Sequence, residues 1–131
     1  MVVIIVRLQP VAGVPDRRPA LNFTYLKAQP FPPATATYTA TSLPEGDYEV
    51  YAWWVAHSNR ATDAPYTINY DGGTVTVEMN QQETDSGGQW QELTALSGPL
   101  PFATGVPGSV VLTNDANEYV IADAVRFEFV P

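Results

Sequence analysis

Cysteine is absent from this chain of 131 residues, so no disulfide framework, zinc-thiolate centre or cysteine nucleophile is available to it. Basic side chains are scarce. Six Lys and Arg stand against 14 Asp and Glu, and the formal charge of -8 repels nucleic acid and anionic membrane. Long apolar runs are missing too. The five β-branched residues Val2 to Val6 fall far short of a secretory core or of the roughly 20 residues that cross a bilayer. Neither nucleic-acid binding nor membrane insertion is expected, and no signal peptide is read in the chain. Histidine occurs once, as His57. No stretch sustains a helical period.

What is present is a succession of short alternating runs broken by proline and glycine. A chain of this length makes one domain that buries roughly two thirds of its unfolded surface. In Tyr48 to Trp54 the alternation sets Tyr48, Val50, Ala52 and Trp54 on a core face and Glu49, Tyr51 and Trp53 on the other. Asp71-Gly72-Gly73 reads as a hairpin turn, and Thr74 to Met79 alternates after it with Val75, Val77 and Met79 inward. NFTYLKA, ATATYTA and SVVLTN read as further strands, SGPLPF and ATGVPG as turn-rich connectors. The run YVIADAVRFEFV reads as a closing strand. Eight or more such strands with little or no helix predict an all-β, antiparallel, jelly-roll-like β-sandwich.

Residues 1–21 read as a strand and a Pro-rich linker (Pro10, Pro15, Pro19), and residues 22–131 as the sandwich itself. The strand Val2 to Val6 allows two placements. It closes the edge of its own sheet, or it crosses to a neighbouring subunit and completes that subunit's sheet. The triplet Asn22-Phe23-Thr24 matches a glycosylation acceptor and is read as a chance occurrence.

The closing strand puts Asp123 among Ile121, Val125, Phe127 and Phe129 on the inward face. A buried carboxylate is costly without a partner. Arg60, the only basic residue between Tyr48 and Ile68, suits it, because a guanidinium meets a carboxylate through two parallel bonds. Backbone and hydroxyl donors, or a metal, are the other possibilities for Asp123.

The run YEVYAWWVAHSNRATDAPYTINYDGGTVTVEMNQQ, then GGQW, then SVVLTNDANEYVIADAVRF, resembles the golvesin C-terminal-like domain, which also stands at the C-terminus of xanthan lyases and in other secreted bacterial proteins. The resemblance spans Ala34 to Phe127 and implies an extracellular, non-catalytic β-sandwich related in shape to carbohydrate-binding modules. It carries Trp53 and Trp54 over as the paired tryptophans, Asn59 and Arg60 as the loop signature, Trp90 as the aromatic of the GQW element, and Asp123 as the acid of the ADAV element. The chain departs from the pattern in its first 21 residues and in the connector ALSGPLP after Thr94.

No catalytic residue is expected. His57 lacks a partner pattern that would make it a base, and GxSxG and HExxH are absent. No metal site or cofactor is expected either: Asn114, Asp115, Asn117 and Glu118 match no calcium loop and suit an Asx turn better. Glu83, Asp85, Glu92 and Asp115 fall in turns without a spacing that commits them to glycoside chemistry. For recognition of a sugar, an aromatic platform with a few polar groups is needed, and Tyr51, Trp53, His57 and Asn59 meet that requirement. The expected function is polysaccharide binding outside the cell. The alternative is a structural subunit of a filament or surface layer, self-associating through the N-terminal strand.

Overall fold

The computed structural model describes residues 3–7, 23–25, 35–41, 43–83 and 87–131. Eleven strands and no helix occupy them: β1 (Val3–Arg7), β2 (Phe23–Tyr25), β3 (Thr35–Ala40), β4 (Gly46–Trp53), β5 (Ala64–Tyr70), β6 (Gly73–Met79), β7 (Gln91–Glu92), β8 (Leu100–Phe102), β9 (Gly108–Thr113), β10 (Val120–Ala122) and β11 (Ala124–Val130). One main sheet runs β1-β11-β4, with β7 and β8 both on the far edge of β4, the second runs β3-β9-β5-β6, and β10 and β2 make a separate two-stranded sheet. Every paired strand is antiparallel. The two main sheets form the expected jelly-roll-like sandwich.

Alternation does most of the sorting. Tyr48, Val50, Ala52 and Trp54 are fully buried, as their period of two requires, and they meet Tyr66, Ile68, Val110 and Leu112 of the opposite sheet in one core. Edge-to-face rings fill the end of that core: Tyr48 on Phe102 at 5.6 Å, Phe102 on Phe127 at 5.6 Å, and Tyr48 on Phe129 at 5.5 Å. The β5–β6 hairpin turns at Asp71-Gly72, where Gly72 has a φ of +100° that a side chain would resist. Gly73 opens β6.

Strand β1 pairs with β11 of its own chain, Val3 opposite Glu128 and Arg7 opposite Ala124. The N-terminal strand thus edges its own sheet. The Pro-rich linker and Asn22 lie outside the described residues.

Two expectations are corrected. SGPLPF is not only a connector: Leu100 to Phe102 forms β8 against Gly46 to Tyr48, because a proline is tolerated on an edge strand and the flanking Leu100 and Phe102 are both buried. The closing run is not one strand either. It breaks at Asp123, so that β10 leaves to pair with β2 while β11 joins β1 and β4. All of Val120 to Val125 is buried, so alternation does not distinguish its two faces.

A buried amide fastens that departure. Gln81, fully buried, donates from Nε2 to the Ile121 carbonyl at 2.9 Å and accepts from the Ile121 N–H at 2.8 Å, imitating the exchange between paired strand residues. Its Nε2 also lies 2.9 Å from the Tyr66 hydroxyl oxygen, and its own N–H donates to the Ala61 carbonyl. Removing the amide strands three buried polar groups, each costing on the order of 1–3 kcal/mol. Gln81→Ala is therefore expected to lower unfolding free energy by about 3 kcal/mol or more in urea denaturation. Gln81→Glu should be at least as damaging, since it adds a charge where water is excluded.

Candidate functional site

The outer face of the β11-β4-β7 sheet gathers side chains that the sequence keeps far apart. The register sets Tyr51 between Arg126 on one side and Glu92 on the other, with Glu49 opposite Glu128 one row away. Over them comes Trp90. The segment on either side of β7 is sewn along the edge of β4, by Gly88 N–H to the Trp54 carbonyl at 2.9 Å and Leu93 N–H to the Val50 carbonyl at 2.7 Å. Thr94, buried, accepts from the Val50 N–H and donates to Glu92 at 3.0 Å. That stitching brings the Trp90 ring to 5.5 Å from Trp53, edge on.

Arg126 packs against two rings. Its guanidinium carbon is 4.2 Å from the centre of Tyr51 and 5.0 Å from that of Trp90, a cation–π arrangement worth about 0.5–2 kcal/mol. Its Nη2 pairs with Glu128 at 3.2 Å, while its Nε is buried without a hydrogen-bond partner. Tyr51 donates its hydroxyl to Glu49 at 2.7 Å. That bond, then burial, then the charges of Glu49, Glu92 and Glu128 push the Tyr51 hydroxyl from its ordinary 10.0 up to about 12. Three aromatic rings, one guanidinium and three carboxylates thus form one half-buried patch.

The other expected residues stand elsewhere in the chain's local structure. His57 and Asn59 are exposed and bond each other, with Asn59 Oδ1 3.1 Å from His57 Nδ1. Arg60 donates from Nη1 to Asn59 Oδ1 at 2.6 Å and its N–H donates to the His57 carbonyl at 3.1 Å, so this loop is a self-bonded turn. The Arg60 backbone is held beside Tyr119 in a parallel bridge. Burial lowers the Arg60 pKa. Asp123 is 2% exposed at the break between β10 and β11. Burial raises the Tyr66 hydroxyl pKa, the Gln81 bond opposes the rise, and the Asp123 charge adds to it. Near β10, Asn117 bonds Thr62 and Asp63, and Ala116 N–H closes on the Asn114 carbonyl, as a turn should. Among the described residues no group of three acids, histidines or cysteines has the geometry of a metal site. An open cleft of about 460 Å³ between β6 and the turn after β7, bordered by Val75, Val77 and Leu96, lacks the aromatic residues of the outer patch.

A family model described as the Golvesin C-terminal domain matches residues 18–129. The chain belongs to that family. A xanthan lyase from Bacillus sp. (strain GL1) is 35% identical to this golvesin domain over 97 residues, covering 71% of this chain and 10% of the lyase. The structure of a Paenibacillus xanthan lyase superposes with a TM-score of 0.71 at 28% identity, over 98% of this chain and 13% of that one. The golvesin domain therefore spans about a tenth of the length of the lyases it matches.

Within the golvesin domain the paired tryptophans divide: Trp54 is fully buried against Tyr66 at 6.2 Å, and Trp53 belongs to the outer patch. Trp90 and Arg126 are the patch residues that alternation alone did not single out. Arg126 left one trace in the sequence, a charge two positions from Glu128 on the face opposite Phe127. Trp90 left none in its spacing, because a turn delivers it.

Two outcomes follow. Tyr48, Tyr51 and Tyr66, all with raised pKa values, should contribute phenolate absorbance above the ordinary 10.0 in a spectrophotometric titration, and Glu49→Gln should bring Tyr51 down. The linkage has a definite sign. A tyrosine that keeps its proton when folded and loses it when unfolded contributes stability that is intact below its ordinary 10.0 and lost as pH rises toward the folded value, so denaturant midpoints should fall above about pH 10. Separately, an added Cβ at Gly87 would lie 2.6 Å from the Ala56 backbone nitrogen. Gly87→Ala should displace the Trp90 segment and shift tryptophan fluorescence while the β-sheet circular dichroism persists.

Proposed function

We propose that this golvesin domain is a non-catalytic, extracellular module that binds polysaccharide through the outer patch of Tyr51, Trp53, Trp90 and Arg126. The observation that carries this reading is the aromatic assembly itself. Sugars expose C–H faces that pack on rings and hydroxyls that need fixed polar partners, and here Glu49, Glu92 and Glu128 stand around three half-buried rings. Support also comes from the relatives, which bear the name of xanthan lyase and of which the matched region is a small share. A region that small within a longer enzyme suits an accessory role, and the lone exposed His57, bonded to Asn59, offers no activated nucleophile. The same relationship supports a place outside the cell. His57 and Asn59 contribute at most a rim, since their polar groups already satisfy one another.

The alternative of a filament or surface-layer subunit is not favoured by the pairing of β1 with β11 within one chain.

Retention in gels containing polysaccharide tests the proposal. Trp53→Ala and Trp90→Ala should each weaken binding about tenfold or more, on the scale of losing a stacked aromatic anchor, with unfolding midpoints close to the parent's. His57→Ala should change little. Unchanged retention in a folded Trp53→Ala, Trp90→Ala double variant would remove the patch from consideration.

A further inference from the structure

The patch has a charge balance that specifies the glycan, and this inference rests on the binding role just proposed. Its cation is already committed. The Arg126 guanidinium packs against the Tyr51 and Trp90 rings, and its Nη2 pairs with Glu128 at 3.2 Å. Among the described residues of the patch, an acidic sugar reaching this face meets no other cation. It meets carboxylates instead: Glu49, Glu92 and Glu128 all act on the Tyr51 hydroxyl at the centre of the patch. The domain as a whole adds its charge of -8.

Carboxylates are acceptors only. Toward a glycan they favour hydroxyl donors, and they repel uronate, sulfate and pyruvate groups. We infer that the outer patch selects uncharged, hydroxyl-rich polysaccharide and excludes polyanionic chains, with Glu92 and Glu128 as the specificity-determining residues. Two unit charges about 8 Å from a bound carboxylate in high dielectric oppose it enough for about a fivefold preference, and salt erodes the effect over a Debye length of about 10 Å at 0.1 M.

Affinity electrophoresis of the full chain tests this, with mobilities referred to glycan-free gels. One set of gels carries neutral glucan, mannan, xylan or galactan, and the other carries polygalacturonate or xanthan. The expected result is retardation by at least one neutral glycan, at least about fivefold weaker retardation by the anionic ones at low salt, and a gap that narrows as salt rises. A Glu92→Gln, Glu128→Gln double variant should narrow the gap without added salt. The neutral amides preserve size and hydrogen-bonding oxygen, and a single cooperative unfolding transition checks the fold. Stronger binding to the anionic gels at low salt, weakening as salt is added, would overturn the charge selection while leaving the binding role intact. No retardation in any gel would overturn the binding role, and the selection with it.

Discussion

Seven consecutive pairs, Trp53 with Ala124 through Asp47 with Val130, join β4 to β11, and both faces of the domain depend on that register. Inside, it lines up Val50 with Phe127 and Ala52 with Val125, all fully buried. Outside, the same pairing lines up Tyr51 with Arg126 and Glu49 with Glu128. Because side chains change face at every residue, a slip of β11 by one position would bury Arg126 and expose Phe127. The core's demand for the right register therefore also assembles the outer patch, and the guanidinium against the rings comes with it.

The sequence was legible where a strand is packed on one side only. In Tyr48 to Trp54 and Thr35 to Ala40 the alternation matches burial residue by residue, since one face is wet and the other dry. It failed where both sides are covered. Val120 to Val125 are all buried, so hydrophobicity there carries no information about facing, and the break at Asp123 shows only in which strands pair. Leu100 to Phe102 was obscured for another reason, a proline whose local preference was overridden by two buried neighbours.

The candidate site shows a similar division. Tyr51 and Trp53 could be read from their strand, whereas the partners that give them a function arrive from segments about 40 and 75 residues away and are brought in by pairing with β4. Grouping His57, Asn59 and Arg60 with these aromatics followed their proximity in sequence. The structure gives that loop its own hydrogen bonds instead. What a loop's polar residues do cannot be inferred from density of chemistry alone, because short-range partners satisfy them first.

The antiparallel pairing of β1 with β11 puts Val3 beside Glu128, so the two ends of the described chain leave from the same corner of the sandwich. A tether attached at both ends would hold the domain as a pendant, with the aromatic patch on the sheet that carries the attachment. Tension between those ends would act across the β1–β11 hydrogen bonds one after another, not along all of them together. Such a module gives way mechanically by peeling its first strand, long before the core around Trp54 feels the load.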